Sequence, residues 1–150
     1  MLSIGEETLT EELLSELIRF SEDWEKEQSC HGYRKNERAN IEGERIFTAC
    51  QDGERVGYLF GHTERAKTTS SVMPEGTAYF EVEELYVKPE FRSQGIGRRL
   101  YEAAKDAVRN DGGAEYIMLS TATKNWKAIL HFYLDELGME FWSARLFQKL

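Results

Sequence analysis

A chain of 150 residues is long enough for one domain (residues 1–150) with a packed core and too short for two. Hydrophobic residues at 41%, charged residues at 31% and only two prolines fit a globular protein rather than a disordered one, and no run nears the ~18–20 apolar residues of a membrane span. A net charge of −8 argues against nucleic acid or an anionic membrane as partner, because both require Lys and Arg to neutralise phosphates. That charge suits a cationic small substrate drawn to an acidic cleft, and equally a surface made acidic only for solubility.

The first residues, from Met1 to Glu7, contain no basic region followed by an apolar run, so no secretory signal is expected. Cys30 and Cys50 form no CxxC pair and no metal-ligand spacing, which points to free thiols in a reducing cytoplasm. Residues 10–27 carry Leu13, Leu14, Leu17 and Ile18 on one stripe, extended by Trp24, and predict a helix with Thr8 and Glu11 as a capping box. Residues 29–43 are polar and weakly patterned, a short helix or a loop. Residues 45–50 and 55–62 flank Asp52-Gly53 and predict a hairpin closed by a type I′ turn.

Residues 66–77 read as a loop, rich in Ser and Thr with Pro74 and Gly76. Residues 79–87 are aromatic and β-branched and predict a strand stopped by Pro89. A helix follows from 96 to 108, with Ile96, Leu100, Ala103, Ala104 and Ala107 at helical spacing, and Asn110-Asp111-Gly112-Gly113 ends it. Residues 115–121 predict a strand, 125–137 a helix closed by Gly138, and 140–149 an aromatic-rich terminal strand or hairpin. The order α, ββ, β–turn–α, β, α, β implies an α/β (α+β) fold, a mixed sheet with helices packed on it.

The turn Arg92-Ser93-Gln94-Gly95-Ile96-Gly97 follows a strand and opens a helix. A Gly-x-Gly pair alone is expected roughly 0.7 times by chance at this length, and a strand-to-helix connection with convenient glycines would look the same. Here, though, the free N–H groups of the helix's first turn and its positive dipole end converge on one point. Gly95 and Gly97 allow a phosphate close to the main chain. Arg92, Arg98 and Arg99 flank it, each charge-assisted hydrogen bond being worth about 1.5–3 kcal/mol. The GxxxxGK[ST] loop is absent, and GxGxxG fails because Arg98-Arg99-Leu100 follows the second glycine. A pyrophosphate of the kind coenzyme A carries remains.

The run from Leu85 to Leu100 closely resembles the acetyl-CoA signature of the GNAT N-acetyltransferase superfamily, LxVxPxxRxxGxGxxL. Asn125-Trp126-Lys127-Ala128 and the stretch from Phe132 to Met139 resemble that family's second block. The resemblance implies a mixed, splayed sheet around acetyl-CoA as co-substrate, without a metal. It implies that the backbone of Leu85, Tyr86 and Val87 pairs with the pantetheine arm. The amides from Gln94 through Gly95, Ile96, Gly97 and Arg98 to Arg99 would cradle the pyrophosphate, Asn125 would lie near the pantetheine, and Tyr133 would protonate the departing thiolate. Asn125 and Tyr133 lie eight positions apart where the family has seven, and Gly138 lies five beyond Tyr133 where four is usual. A bulge in the helix, or an offset of one in either assignment, would absorb the difference. The aromatic segment from Met139 to Leu150 would pair with a second copy, as in many relatives, giving a homodimer.

An amine must lose a proton before it attacks a thioester, at a cost of roughly 4.6 kcal/mol at pH 7 for a lysine-like group. Glu81, Glu83 and Glu84 lie on the strand before the turn. Alternation places Glu81 and Glu83 on one face and Glu84 on the other, unless a bulge intervenes. The stretch from Val82 to Val87 resembles Leu-Glu-Asp-x-x-Val of spermidine/spermine acetyltransferases, which favours Glu83 as base and Glu84 after it. The same acids would also suit an exposed strand face. His31, His62 and His131 suggest no metal site and read as surface or core histidines; His131 alone lies near Tyr133. Trp126, Phe132, Phe141, Trp142 and Phe147 read as packing, and residues 67–76 as a loop at the substrate lip. The leading expectation is an acetyl-CoA-dependent transferase acting on a cationic small-molecule amine by direct attack. A protein or peptide acceptor, a non-catalytic acyl-CoA-binding module and a ligand-free interaction domain are the alternatives.

Overall fold

The computed structural model describes residues 1–150. One five-stranded sheet has the order β1 (Leu2–Glu7), β2 (Arg45–Gln51), β3 (Glu54–Arg65), β4 (Ala78–Val87) and β5 (Tyr116–Met118). The first four strands are antiparallel, and β5 runs parallel to β4. Around them lie α1 (Glu11–Glu27), α2 (Arg38–Ile41), α3 (Ile96–Asp111) and α4 (Trp126–Leu130). The α/β expectation, a mixed sheet with helices packed on it, therefore holds.

Two apolar clusters cover the two faces of the sheet. Leu13, Leu14, Leu17 and Phe20 of α1 pack with Ile46, Tyr58, Phe60 and Tyr86. Ile96, Leu100, Ala104 and Val108 of α3 pack with Phe47, Leu59, Phe80 and Val82 on the other side. The α1 stripe is the one the sequence predicts, and burying such a side chain contributes about 1.5–3 kcal/mol. Its cap differs from the prediction: Thr10, not Thr8, accepts the N–H of Leu13 at 3.1 Å, because the helix begins one residue later than the predicted start. Asp52 and Gly53 both have positive φ, 51° and 85°, as the type I′ hairpin requires.

Strand β1 was not legible beforehand. Only Leu2 and Ile4 pack toward the core, too short an alternation to register without its partner β2. The predicted terminal strand or hairpin at 140–149 is absent: the segment has no regular structure and is exposed throughout. Trp126, Phe141, Trp142 and Phe147 are 57%, 55%, 46% and 81% exposed, so their reading as packing residues is also corrected. The physical reason is that β5 is only three residues long and offers little edge on which a further strand could align. No helix is long and apolar enough to cross a membrane.

Candidate active site

Strands β4 and β5 pair only through Tyr79–Tyr116, Phe80–Ile117 and Glu81–Met118. Beyond Glu81 they part, and β4 from Val82 to Val87 keeps β3 on one side and no strand on the other. Main-chain donors and acceptors on that open edge are available to an extended ligand that carries amides. Leu85, Tyr86 and Val87 all lie on it, with the Val87 carbonyl already accepting from Arg92.

The turn after β4 leads directly into α3. A short 3-10 turn, Pro89–Phe91, is followed by Ser93 at φ 62° and Gly95 at φ 80°. Gly95 caps α3 without any side-chain hydrogen bond, so the N–H groups of the first turn stay open. A Cβ on Gly95 would meet nothing within 4 Å, whereas one on Gly97 would lie 3.4 Å from the Phe132 ring. This is a small, donor-rich cradle that fits a pyrophosphate by its chemistry. Gln94, Arg98 and Arg99 are exposed around it, and Ile96 is buried beneath. Arg92 behaves differently from the other two arginines. Its guanidinium donates to Glu27 at 2.8 and 2.9 Å and to the Val87 carbonyl at 2.8 Å, and it lies over the Tyr86 ring at 5.3 Å. Arg92 braces the turn against α1.

The β4 strand carries a bulge. Phe60 pairs with Glu84 and the next residue, Gly61, with Val82, so Glu83 has no partner of its own. Before the bulge, even-numbered Phe80 and Val82 face α3; after it, odd-numbered Leu85 and Val87 do. Tyr86 accordingly packs with α1. The predicted alternation of Glu81 and Glu83 against Glu84 is thereby overturned: the phase shift brings Glu84 to the α1 face beside Glu81. A Cβ on Gly61 would lie 2.2 Å from the Glu81 carbonyl oxygen, so the bulge requires a glycine across from it.

The three acids differ sharply in surroundings. Glu84 is half-buried and accepts hydrogen bonds from Tyr58 at 2.7 Å, Asn36 at 2.9 Å and Tyr33 at 3.1 Å. Burial raises its pKa and these bonds oppose the rise. Glu83 is exposed and lies 3.8 Å from His62 Nδ1. Glu81 occupies the last pair before the strands part, and its Oε2 is buried without a partner. Burial, then the neighbouring Glu83, pushes its pKa up to about 6. His62, which reads in the sequence only as a surface or core histidine, lies on β3 opposite Glu81 and bonds Glu44 at 3.0 Å and Glu64 at 2.8 Å. Burial would lower its pKa, but those two carboxylates outweigh burial and raise it. Only the pairing register could have revealed it.

The helix carrying Tyr133 departs from α geometry. After α4 the segment His131–Glu136 is π-helical, and Leu137 N–H donates to the Phe132 carbonyl, five residues back, at 3.0 Å. A π turn takes up one extra residue, which absorbs one of the two by which the spacing from Asn125 to Gly138 exceeds the usual one. Tyr133 packs against the α3 cluster, and burial, then Cys30 and Tyr101, pushes its pKa up to about 12. It therefore holds a proton at neutral pH. Asn125 is exposed at the start of α4. His131 pairs only with exposed Asp135.

An open strand edge that ends in a glycine-capped helix start agrees with the match of residues 9–139 to the acetyltransferase (GNAT) family. The chain belongs to the GNAT family. It is 31% identical over 84 residues to an N-alpha-acetyltransferase of Saccharolobus solfataricus, a match covering 56% of this chain and 50% of that protein. The chain thus aligns with about half the length of that curated relative. Its fold superposes on an aminoglycoside acetyltransferase from an uncultured soil metagenomic sample with a TM-score of 0.68 at 20% identity, covering 100% and 99% of the two chains. It also superposes on AAC(6')-Iy in complex with a bisubstrate analogue, with a TM-score of 0.67 at 17% identity over 100% and 98%. At these identities the two structures speak for the fold alone. This GNAT chain has no group of three or more His, Cys, Asp or Glu residues arranged to hold a metal ion.

Proposed function

We propose that this GNAT chain transfers an acetyl group from acetyl-CoA to the primary amine of a cationic small molecule, by direct attack while both are bound. The observation that carries this reading is Glu81: a carboxylate with one oxygen buried and unpartnered, at the point where β4 and β5 separate. Bound there, acetyl-CoA would supply an activated thioester carbonyl. The open edge at Leu85, Tyr86 and Val87 would pair with the donor's amides, with Asn125 beside it. The main chain from Gln94 through Gly95, Ile96, Gly97 and Arg98 to Arg99 would hold its phosphates.

Glu81 takes the proton from the incoming ammonium. A base with a pKa near 6 is ionised at neutral pH yet basic enough to share a proton. Glu83, favoured by the resemblance to polyamine acetyltransferases, is the outer carboxylate, and with Glu44 and Glu64 it attracts the cation. Tyr133, protonated at neutral pH, donates to the leaving thiolate. The free thiols Cys30 and Cys50 suit a cytoplasmic setting. The exposed aromatic segment 140–150 supports a homodimer. A protein or peptide N-terminus is the second acceptor reading, favoured by the N-alpha-acetyltransferase relative.

The test is thiol release from acetyl-CoA with a panel of polyamines, aminoglycosides, amino acids and short peptides. Amine-dependent release, strongest with multiply charged amines, is expected. Binding of acetyl-CoA with no release on any member would favour a non-catalytic acyl-CoA-binding module.

A further inference from the structure

The segment 29–36 between α1 and α2 is tied to both arms of the wedge that opens between β4 and β5. Toward the β5 arm, His31 N–H donates to the Ala122 carbonyl at 2.9 Å and Lys124 N–H to the Ser29 carbonyl at 2.8 Å, with Cys30 opposite Thr123. Toward the β4 arm, the Tyr33 hydroxyl and Asn36 Nδ2 both donate to Glu84, at 3.1 and 2.9 Å. The Tyr33 ring rests on Trp24 at 4.4 Å, and Asn36 N–H donates to the buried Ser21 hydroxyl at 2.9 Å. The segment is thus a strap across the opening.

Glu84 reaches the strap only because the bulge turns it to the α1 face. Its Oε1 then receives Tyr58, Asn36 and Tyr33, and its Oε2 receives Tyr33 at 3.2 Å. Three donor protons, the single Tyr33 proton being shared between the two oxygens, thus occupy three of the carboxylate's about four acceptor sites. The geometry points to Glu84 as a positioning residue that latches strap 29–36 over the wedge and so shapes the entrance for the amine, leaving proton abstraction to Glu81. This rests on the transferase reading above, and it separates two neighbouring acids that the sequence could not tell apart.

Glu84→Gln and Tyr33→Phe test it, compared with the parent chain in steady-state kinetics and in amide hydrogen exchange measured without substrate. The amine KM is expected to rise about tenfold in Glu84→Gln, the equivalent of one charge-assisted hydrogen bond, and less in Tyr33→Phe. The kcat, its acidic pH limb and the KM for acetyl-CoA stay within about twofold. Exchange at His31 and Lys124 quickens in both variants. A collapse of kcat with loss of the acidic limb in Glu84→Gln, at unchanged exchange, would make Glu84 the base and overturn the assignment. Unchanged KM and unchanged exchange in both would also overturn it. Should Glu84→Gln not fold, Tyr33→Phe, which deletes one hydroxyl, decides by the same readouts. If the parent acetylates no amine, the transferase reading fails. Exchange still decides the latch: faster exchange sustains it, and unchanged exchange removes it.

Discussion

The middle of β4 and its C-terminal exit are built by different means. At the C-terminal end, the turn into α3 offers main-chain N–H groups, and its shape follows from local conformation: Ser93 and Gly95 at positive φ, then a helix start with no side-chain cap. In the middle, three glutamates within four residues acquire three distinct environments through one register shift against β3. A backbone site needs the right small residues in the right order. A side-chain site needs neighbours that decide which way each residue faces, and those neighbours are distant in sequence.

The largest effect that would sharpen this contrast is expected at Glu81. Glu81→Gln should lower kcat/KM for the amine by about 10²–10⁴-fold, the usual contribution of a positioned base, and abolish an acidic limb near pH 6. Rates across pH 5–9 check this, and an unchanged limb would remove Glu81 from the proton transfer. Tyr133→Phe should lower kcat by about 10²-fold, toward the lower side of the same range, with little change in acetyl-CoA binding; single-turnover thiol release separates the two. At the other end of β4, Gly97→Val adds methyls where even a Cβ already contacts Phe132. Overpacking of this kind costs about 1–3 kcal/mol, and a raised acetyl-CoA KM at unchanged pH profile would mark it as a fault of the cradle alone.

Gly61→Ala tests the bulge itself. Its Cβ would meet the Glu81 carbonyl at 2.2 Å, so a loss of about 1–3 kcal/mol in urea unfolding is expected. No loss would mean that the bulge yields easily and that its grouping of acids is not enforced. The smallest effect concerns pH. The folded-state pKa of Glu81, about 6, lies above the usual 4.5, so the folded chain binds the proton more tightly than the unfolded chain. Stability therefore falls as pH rises from about 4.5 to 6 and is level above. Discounted for solvent screening of a half-exposed group, the change is on the order of 1 kcal/mol. Glu81→Gln should recover it, with a higher Tm at pH 8 than the parent and little gain at pH 4.5.

Much of the fold was legible because its signals are local. The α1 stripe, the Asp52-Gly53 hairpin, the α3 periodicity with its closing Gly112, and the glycine turn each rest on residues within a few positions of one another. Strand β1, which the sequence does not announce, and the expected terminal strand, which does not form, share one cause: a strand is defined by its partner, and neither the full edge of β2 nor the shortness of β5 can be read from an isolated segment. The spacing from Asn125 to Gly138 signalled an irregular helix, and the π segment is its form.

What the sequence by itself determined is the helix start that follows β4 and its free donors, since φ preferences of glycine and the periodicity of α3 act within one turn. Tertiary structure alone decided the surroundings of each acid. The extra residue at Glu83 inverts the phase of β4 only relative to β3. The donors to Glu84 come from residues 33, 36 and 58, and Glu81 sits at the last pair with a parallel strand whose Met118 lies 37 residues away. Burial and hydrogen bonding set the charge state of a carboxylate, and both are properties of the packed chain.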